Sequence, residues 1–180
     1  MRRSVLASAV VLALFAPGFA RATCWLEAGQ QYGVETALLK AIAWQESRGY
    51  PNAVGPKLPD GNVALGLMQI NTIHLPTLAK YGIRREHLFD ACTSQKVGAW
   101  VLADCIQRFG ATWKAVGCYY AGPASKNVPA QLEYVQSVQR YYAGYVRQEQ
   151  AENAARQTAL AAEQQTPDQS ATFVALTPKE

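Results

Sequence analysis

A mainly α domain, with a small β or loop lobe set among its helices in an α+β arrangement, is the architecture predicted by three features of the chain. Apolar residues recur at helical spacing in most of residues 24–147, in stretches that end at Gly or Pro. Residues 49–64 break that rhythm with Gly-Tyr-Pro-Asn, Gly-Pro and Pro-Asp-Gly-Asn, which mark a loop or a small hairpin about Asp60 and Gly61. No strand is expected beyond that hairpin. A lobe inserted after a helix leaves a cleft between lobes, a usual place for a ligand.

The N-terminus reads as an export leader, not as part of the domain. Arg2 and Arg3 precede an apolar run from Val5 to Phe15, then Pro17-Gly18 and Ala20-Arg21-Ala22. A basic start, an apolar middle and an A-x-A site assign residues 1–22 to a secretory signal peptide, and the run is short for a membrane span. Thr23 ahead of Cys24 fits a lipoprotein signal poorly. Arg2, Arg3 and Arg21 leave with the leader, so the formal net charge falls from +4 to 4 − 3 = +1. A nearly neutral protein offers no argument for nucleic-acid or electrostatic membrane binding.

Cys24, Cys92, Cys105 and Cys118 all lie in the exported part. An even count in an oxidising compartment predicts two disulfides. Four cysteines allow three pairings; Cys24–Cys92 with Cys105–Cys118 is expected, because the second bond links two neighbouring helices. The spacing fits no zinc site: there is no C-x-x-C, and His74 and His87 are the only histidines.

Residues 24–32 predict a first short helix with Trp25, Ala28 and Tyr32 at helical spacing, ended by Gly33. Thr36 to Ser47 is free of Gly and Pro and rich in Ala and Leu, hence a second helix, stopped by Gly49 and Pro51. Leu39, Ile42, Ala43 and Glu46 fall at i, i+3, i+4 and i+7, which puts a carboxylate on the apolar stripe at the helix end. Burial and the negative end of the helix dipole both penalise its charge and raise its pKa. A carboxyl protonated near neutral pH can act as a general acid. If the helix has frayed there, Glu46 is simply solvated.

Leu65-Gly66-Leu67-Met68-Gln69-Ile70-Asn71 is apolar, short and punctuated by amides; strand and buried loop stay open. Residues 73–81 predict a helix with Gly82 as its cap, and Asp90 to Thr93 a connector. Val97, Trp100, Val101, Cys105 and Phe109 mark an amphipathic helix ended by Gly110. Thr112 to Tyr120 is a further helix with an N-cap Thr, closed by Gly122-Pro123. From Pro129, a stripe of Val135, Val138, Tyr142 and Tyr145 gives a long helix. Residues 148–180 turn to Ala, Gln and Glu and then to Thr-Pro-Asp-Gln-Ser; a fraying helix end and a disordered tail are expected. The domain is therefore placed at residues 23–147.

Three segments, taken in order, resemble one family. Ala41-Ile42-Ala43-Trp44-Gln45-Glu46-Ser47, Gly66-Leu67-Met68-Gln69-Ile70-Asn71 and Tyr119-Tyr120-Ala121-Gly122 are similar to the E-S, G-L-M-Q-I-N and Y-N-A-G signatures of the soluble lytic transglycosylases. The resemblance covers residues 24–146 and implies a lysozyme-like fold. Its leader, cysteines and size look most like the specialised members that accompany type III and type IV secretion, conjugation or pilus machines. It implies that Glu46 is the one catalytic acid/base, acting on the bond between N-acetylmuramic acid and N-acetylglucosamine, with the muramic C6 hydroxyl attacking C1 to leave a 1,6-anhydro end. A hydrolytic glycosidase needs a second carboxylate for its nucleophile or its water. The resemblance gives Tyr119 the role of orienting the acid. It makes Ser47, Gln69, Asn71 and Tyr120 substrate-binding residues and Met68 an apolar wall of the cleft; a structural amide is the competing role for Gln69.

Two departures stand out. Tyr120 occupies the position where the family often has Asn, and Ala64 the position where secretion-associated members often have Asp. Asp60 is the acid nearest to that second site, in a Pro-Asp-Gly turn that favours Asp for its own sake. Two other readings remain: a muramidase using Glu46, Asp60 and water, and a wall-binding assembly factor without activity. Peptidoglycan strands are the expected substrate, and the tail is the expected contact to a secretion or conjugation machine. No cofactor, metal or nucleic-acid partner is expected; the protein is expected in the periplasm, as a monomer. No phosphate loop, H-E-x-x-H or G-x-S-x-G motif occurs.

Overall fold

The computed structural model describes residues 19–165. The leader assigned to residues 1–22 falls for the most part outside the described residues, as does the tail from residue 166.

Helix α1 runs Phe19–Tyr32, starting ahead of the expected Cys24. Helix α2 is Thr36–Ser47, as its composition predicts. Ala37, Leu39, Ala41, Ile42 and Ala43 are buried on several sides of α2, so the helix lies largely inside the domain. Its end is closed by Arg48 in the left-handed region (φ 55°), whose N–H returns to the Trp44 carbonyl, one residue before the expected Gly49.

The lobe after α2 holds two short strands, β1 (Ala64–Leu65) and β2 (Ile70–Asn71), antiparallel with Ala64 opposite Asn71 and Leu65 opposite Ile70. The expected turn about Asp60 and Gly61 forms: Gly61 N–H donates to Leu58 O at 2.9 Å, and Leu58 N–H to Asn62 O at 2.8 Å. The ladder lies beyond it, in the stretch left open between strand and buried loop. Leu65 and Ile70 meet across that ladder and both are buried, so burial of a facing apolar pair decides the local conformation. Gly66, in the turn between the strands, has φ +75°, and a Cβ there would lie 1.9 Å from Leu88 O; only glycine fits.

The helix expected over residues 73–81 is split. A 3₁₀ turn (Thr72–His74) leads into α3 (Leu75–Leu78), and a second 3₁₀ turn (Ala79–Tyr81) ends at Gly82. A further 3₁₀ segment spans Arg85–Phe89. Helix α4 is Ala91–Phe109. The expected connector at residues 90–93 is thus already helical from Ala91, because the Asp90 carboxylate accepts the Thr93 N–H at 2.8 Å and caps the first turn. Helix α5 is Trp113–Ala121.

Helix α6 is Val128–Gln165, so the last helix runs on past residue 147 as expected. Residues 148–165 are helical, and nearly all of them are exposed. Ala, Gln, Glu and Arg are strong helix formers, and elongating a helix already anchored by packing carries no nucleation cost. Lys40 Nζ on α2 meets Glu149 Oε1 at 2.9 Å, near the last point where α6 touches the body.

The core gathers Leu39 and Ile42 from α2, Leu65, Met68 and Ile70 from the lobe, Leu102 from α4, Val116 from α5 and Val138 from α6, all essentially unexposed. Each such aliphatic side chain contributes about 1.5–3 kcal/mol by leaving water. Helix α2 packs on α6, and α4 packs on both α1 and α5. Cys24–Cys92 ties α1 to α4 and Cys105–Cys118 ties α4 to α5, the expected pairing. Among the described residues, no helix is long and apolar enough to cross a membrane.

Candidate active site

Glu46 stands on the last turn of α2, facing a cleft of about 940 Å³ between the lobe and helices α4 and α5. Gln69, Asn71, His74, Trp100 and Tyr120 line the same cleft. Its volume lies at the upper end for ligand clefts.

The carboxyl has one close phenol partner. Tyr134 Oη on α6 donates to Glu46 Oε1 at 2.5 Å, and Tyr134 is only 6% exposed. Burial pushes the Glu46 pKa up from 4.5 to about 7, while the Tyr134 hydrogen bond pulls the other way by favouring the charged form. Burial holds the Tyr134 and Tyr119 phenols well above their ordinary pKa, and the nearby Glu46 charge adds to this. Both phenols therefore keep their protons and act as donors at neutral pH.

Tyr134 was not among the residues singled out from the sequence. It sits one helical turn before Val138, on the stripe that otherwise reads as core. The signal available was a phenol at that spacing in a chain whose candidate acid has no second carboxylate beside it.

Tyr119, expected to orient the acid, has another hydrogen-bond partner. Its hydroxyl donates to Met68 O at 2.7 Å. Met68 is not an apolar cleft wall: it is fully buried, and a Cβ on Gly98 would lie 2.7–2.9 Å from its side-chain atoms. The missing side chain at Gly98 opens the space that Met68 fills, so Met68 presents its carbonyl, and not its thioether, to Tyr119.

Ser47 likewise turns to the loop. Its hydroxyl reaches Leu67 O at 2.7 Å and, more weakly, Ala43 O at 3.3 Å. Met68 N–H donates to Ser94 Oγ at 3.0 Å. Gln69 has φ +47°, an uncommon backbone state for a side-chain-bearing residue. Its Nε2 donates to Ala53 O at 3.2 Å and Gly66 O at 3.0 Å, and the residue lines the cleft. Helices α2, α4 and α5 thus each send one hydroxyl to the Leu67–Met68 backbone, satisfying polar groups that a buried loop cannot leave unpaired.

Asn71 caps the following 3₁₀ turn by accepting the Ile73 N–H at 2.9 Å, and it lines the cleft. Tyr120 also lines the cleft, 51% exposed, with its ring stacked on Tyr134. Asp60 borders the cleft but is fully exposed. Hydrogen bonds from the Asn62 side chain and N–H hold its carboxyl below the ordinary range, as a turn residue's would be. Ala64 lines the cleft without any charge. Farther along, Asp104 and Arg108 pair at 2.8 Å, and burial lowers the His74 pKa against the opposing charge of Asp104. Among the described residues, no group of three His, Cys, Asp or Glu could hold a metal ion.

Comparison with known proteins adds an independent line. The chain is 40% identical over 134 residues to invasion protein IagB of Salmonella typhimurium, covering 74% of this chain and 83% of that one. It is 40% identical over 124 residues to the X polypeptide of Escherichia coli, covering 67% and 73%. It is 36% identical over 133 residues to protein IpgF of Shigella flexneri, covering 73% and 87%. An inactive mutant of the lytic transglycosylase Slt from Pseudomonas aeruginosa shares the fold, with a TM-score of 0.60 and 23% identity over 74% of this chain; the chain spans 25% of that larger one. Residues 23–141, which hold Glu46, the Gly66–Asn71 turn, Tyr119 and Tyr134, match the transglycosylase SLT domain, and the chain belongs to that family.

Proposed function

We propose that the chain is an exported lytic transglycosylase with a lysozyme-like fold that cuts the β-1,4 bond between N-acetylmuramic acid and N-acetylglucosamine. The observation that carries this reading is a single desolvated carboxyl, Glu46, held by one phenol in a large cleft.

The chemistry follows from the proton. Protonated Glu46 donates to the glycosidic oxygen. The bond from muramic C1 to that oxygen breaks, and the N-acetylglucosamine side leaves with a 4-hydroxyl. The substrate's own acetamido oxygen stabilises the cation at C1. The Glu46 carboxylate then takes the proton from the muramic C6 hydroxyl as O6 bonds to C1. Glu46 ends protonated as it began, and no water is consumed. A pKa near the working pH suits a group that must both give and accept a proton. Tyr134 holds the carboxyl in place, and the loop fixed by Ser47, Ser94 and Tyr119 carries the amides of Gln69 and Asn71 toward the sugars.

The leader and the disulfides support a periplasmic site of action. The name of the relative called an invasion protein supports a role in opening the wall locally for an envelope-spanning machine. Residues 148–180 are proposed as its contact, through the exposed end of α6. A muramidase reading would need Asp60 as the partner of Glu46, but its solvated turn geometry argues for a structural role.

The first test is Glu46→Gln. The variant should fail to clear a suspension of purified wall while folding normally. Clearance at the parent's rate would remove Glu46 as the acid.

A further inference from the structure

Tyr120 stacks on Tyr134, the residue whose hydroxyl reaches the Glu46 carboxyl. Its ring lies flat on Tyr134, with centroids 4.7 Å apart and planes 16° apart. Tyr134 is 6% exposed and Tyr120 51%. Tyr120 thus takes the solvent contact that Tyr134 would otherwise have on that face. Tyr134 is the residue whose hydroxyl reaches Glu46, so water entering under that face would meet the hydrogen bond itself.

We propose that Tyr120 is a positioning residue whose ring covers Tyr134 and thereby keeps the Tyr134–Glu46 hydrogen bond dry and the carboxyl aimed into the cleft. The inference rests on the reading of Glu46 as the acid. It assigns Tyr120 an action through Tyr134, beyond any contact of its own with sugar. The ring does this work, because stacking uses its face and not its hydroxyl.

The groups around the carboxyl are few. Tyr134 faces it from α6, and Tyr119 and Tyr120 stand on α5. Asp60 from the lobe, His74 and the Asp104–Arg108 pair of α4 line other parts of the same cleft. No cation bonds Glu46 among its described partners, so exclusion of water is what keeps its proton affinity high.

The test compares the parent, Tyr120→Phe and Tyr120→Ala in the mature chain by two measurements. One is the titration of the Glu46 carboxyl by carbon NMR, with Glu46→Gln identifying the signal. The other is kcat and KM for wall digestion as a function of pH. Tyr120→Phe should keep the parent midpoint. Tyr120→Ala should lower it by about one pH unit, cutting the protonated fraction near neutral pH about fivefold, and kcat with it, at little cost in KM. An unchanged midpoint in Tyr120→Ala, with KM alone affected, would overturn the inference and leave Tyr120 as a sugar contact. A parent carboxyl titrating in the ordinary carboxylate range would overturn the reading of Glu46 as the acid, and this inference with it.

Discussion

Tyr134 Oη lies 2.5 Å from Glu46 Oε1, although the two residues are 88 positions apart in the chain. They meet because α2 packs along the early turns of α6, which brings the end of one helix onto the second turn of the other. Tyr134→Phe keeps the ring and removes the donor. The lost hydrogen bond stabilised the charged carboxylate, so the Glu46 pKa should rise further above about 7. The alkaline limb of the pH–rate profile should move up, and kcat should fall about tenfold or more because the carboxyl is no longer aimed. A limb that moves down, or an unchanged kcat, would refute the positioning role.

Glu46 also makes stability depend on pH. Its folded pKa is raised, so the folded state holds a proton that the unfolded state has released. Stability from this group is fully present below pH 4.5 and is lost as pH rises to about 7. That displacement corresponds to about 3 kcal/mol. Glu46→Gln carries no charge to bury, so it should melt higher than the parent above pH 7 and gain little near pH 4.5. Thermal melts across that range check the sign; a parent more stable than the variant at high pH would contradict it.

Ser47 tests whether the loop is held from α2. Ser47→Ala removes the donor 2.7 Å from the Leu67 carbonyl. About 1 kcal/mol of stability should be lost, as for a typical internal hydrogen bond. Denaturant unfolding measures this loss. Wall cleavage should fall only a few-fold, because Ser94 and Tyr119 still hold Met68. Near-complete loss of activity without loss of stability would return Ser47 to direct substrate contact.

Truncation after residue 147 removes the exposed end of α6 and the Lys40–Glu149 pair. This partly buried pair contributes about 1 kcal/mol. Melting temperature should change by a few degrees at most, and cleavage by the purified protein should be unchanged. Loss of cleavage would tie the helix end to the catalytic domain and would count against its role as a contact for a machine.

Helix α2 was legible because its signals are local. The Ala/Leu-rich run, the spacing from Leu39 to Glu46 and the breakers after Ser47 all lie within one window. The disulfide pairing was legible for a similar reason, since the helices it joins could be read first. Tyr134 was not legible, because it shares a stripe with Val138 and Tyr142 and its partner comes from another helix. Met68 was assigned to the cleft wall by the resemblance alone, while the space that buries it is made by Gly98, thirty residues on. The two strands are each two residues long, too short for any period to register. The run-on of α6 was legible from composition: an Ala/Gln/Glu-rich run continues a helix that is already built, and it does so to Gln165.

Digestion of purified peptidoglycan by the mature protein, with mass spectrometry of the released fragments, asks directly where the attacking oxygen comes from. Muramyl ends in the 1,6-anhydro form, lighter by one water than the reducing sugar and free of label when the reaction is run in ¹⁸O water, are the predicted result. Reducing muramyl ends carrying solvent oxygen would mean that water is the nucleophile, and that Glu46 serves a hydrolase.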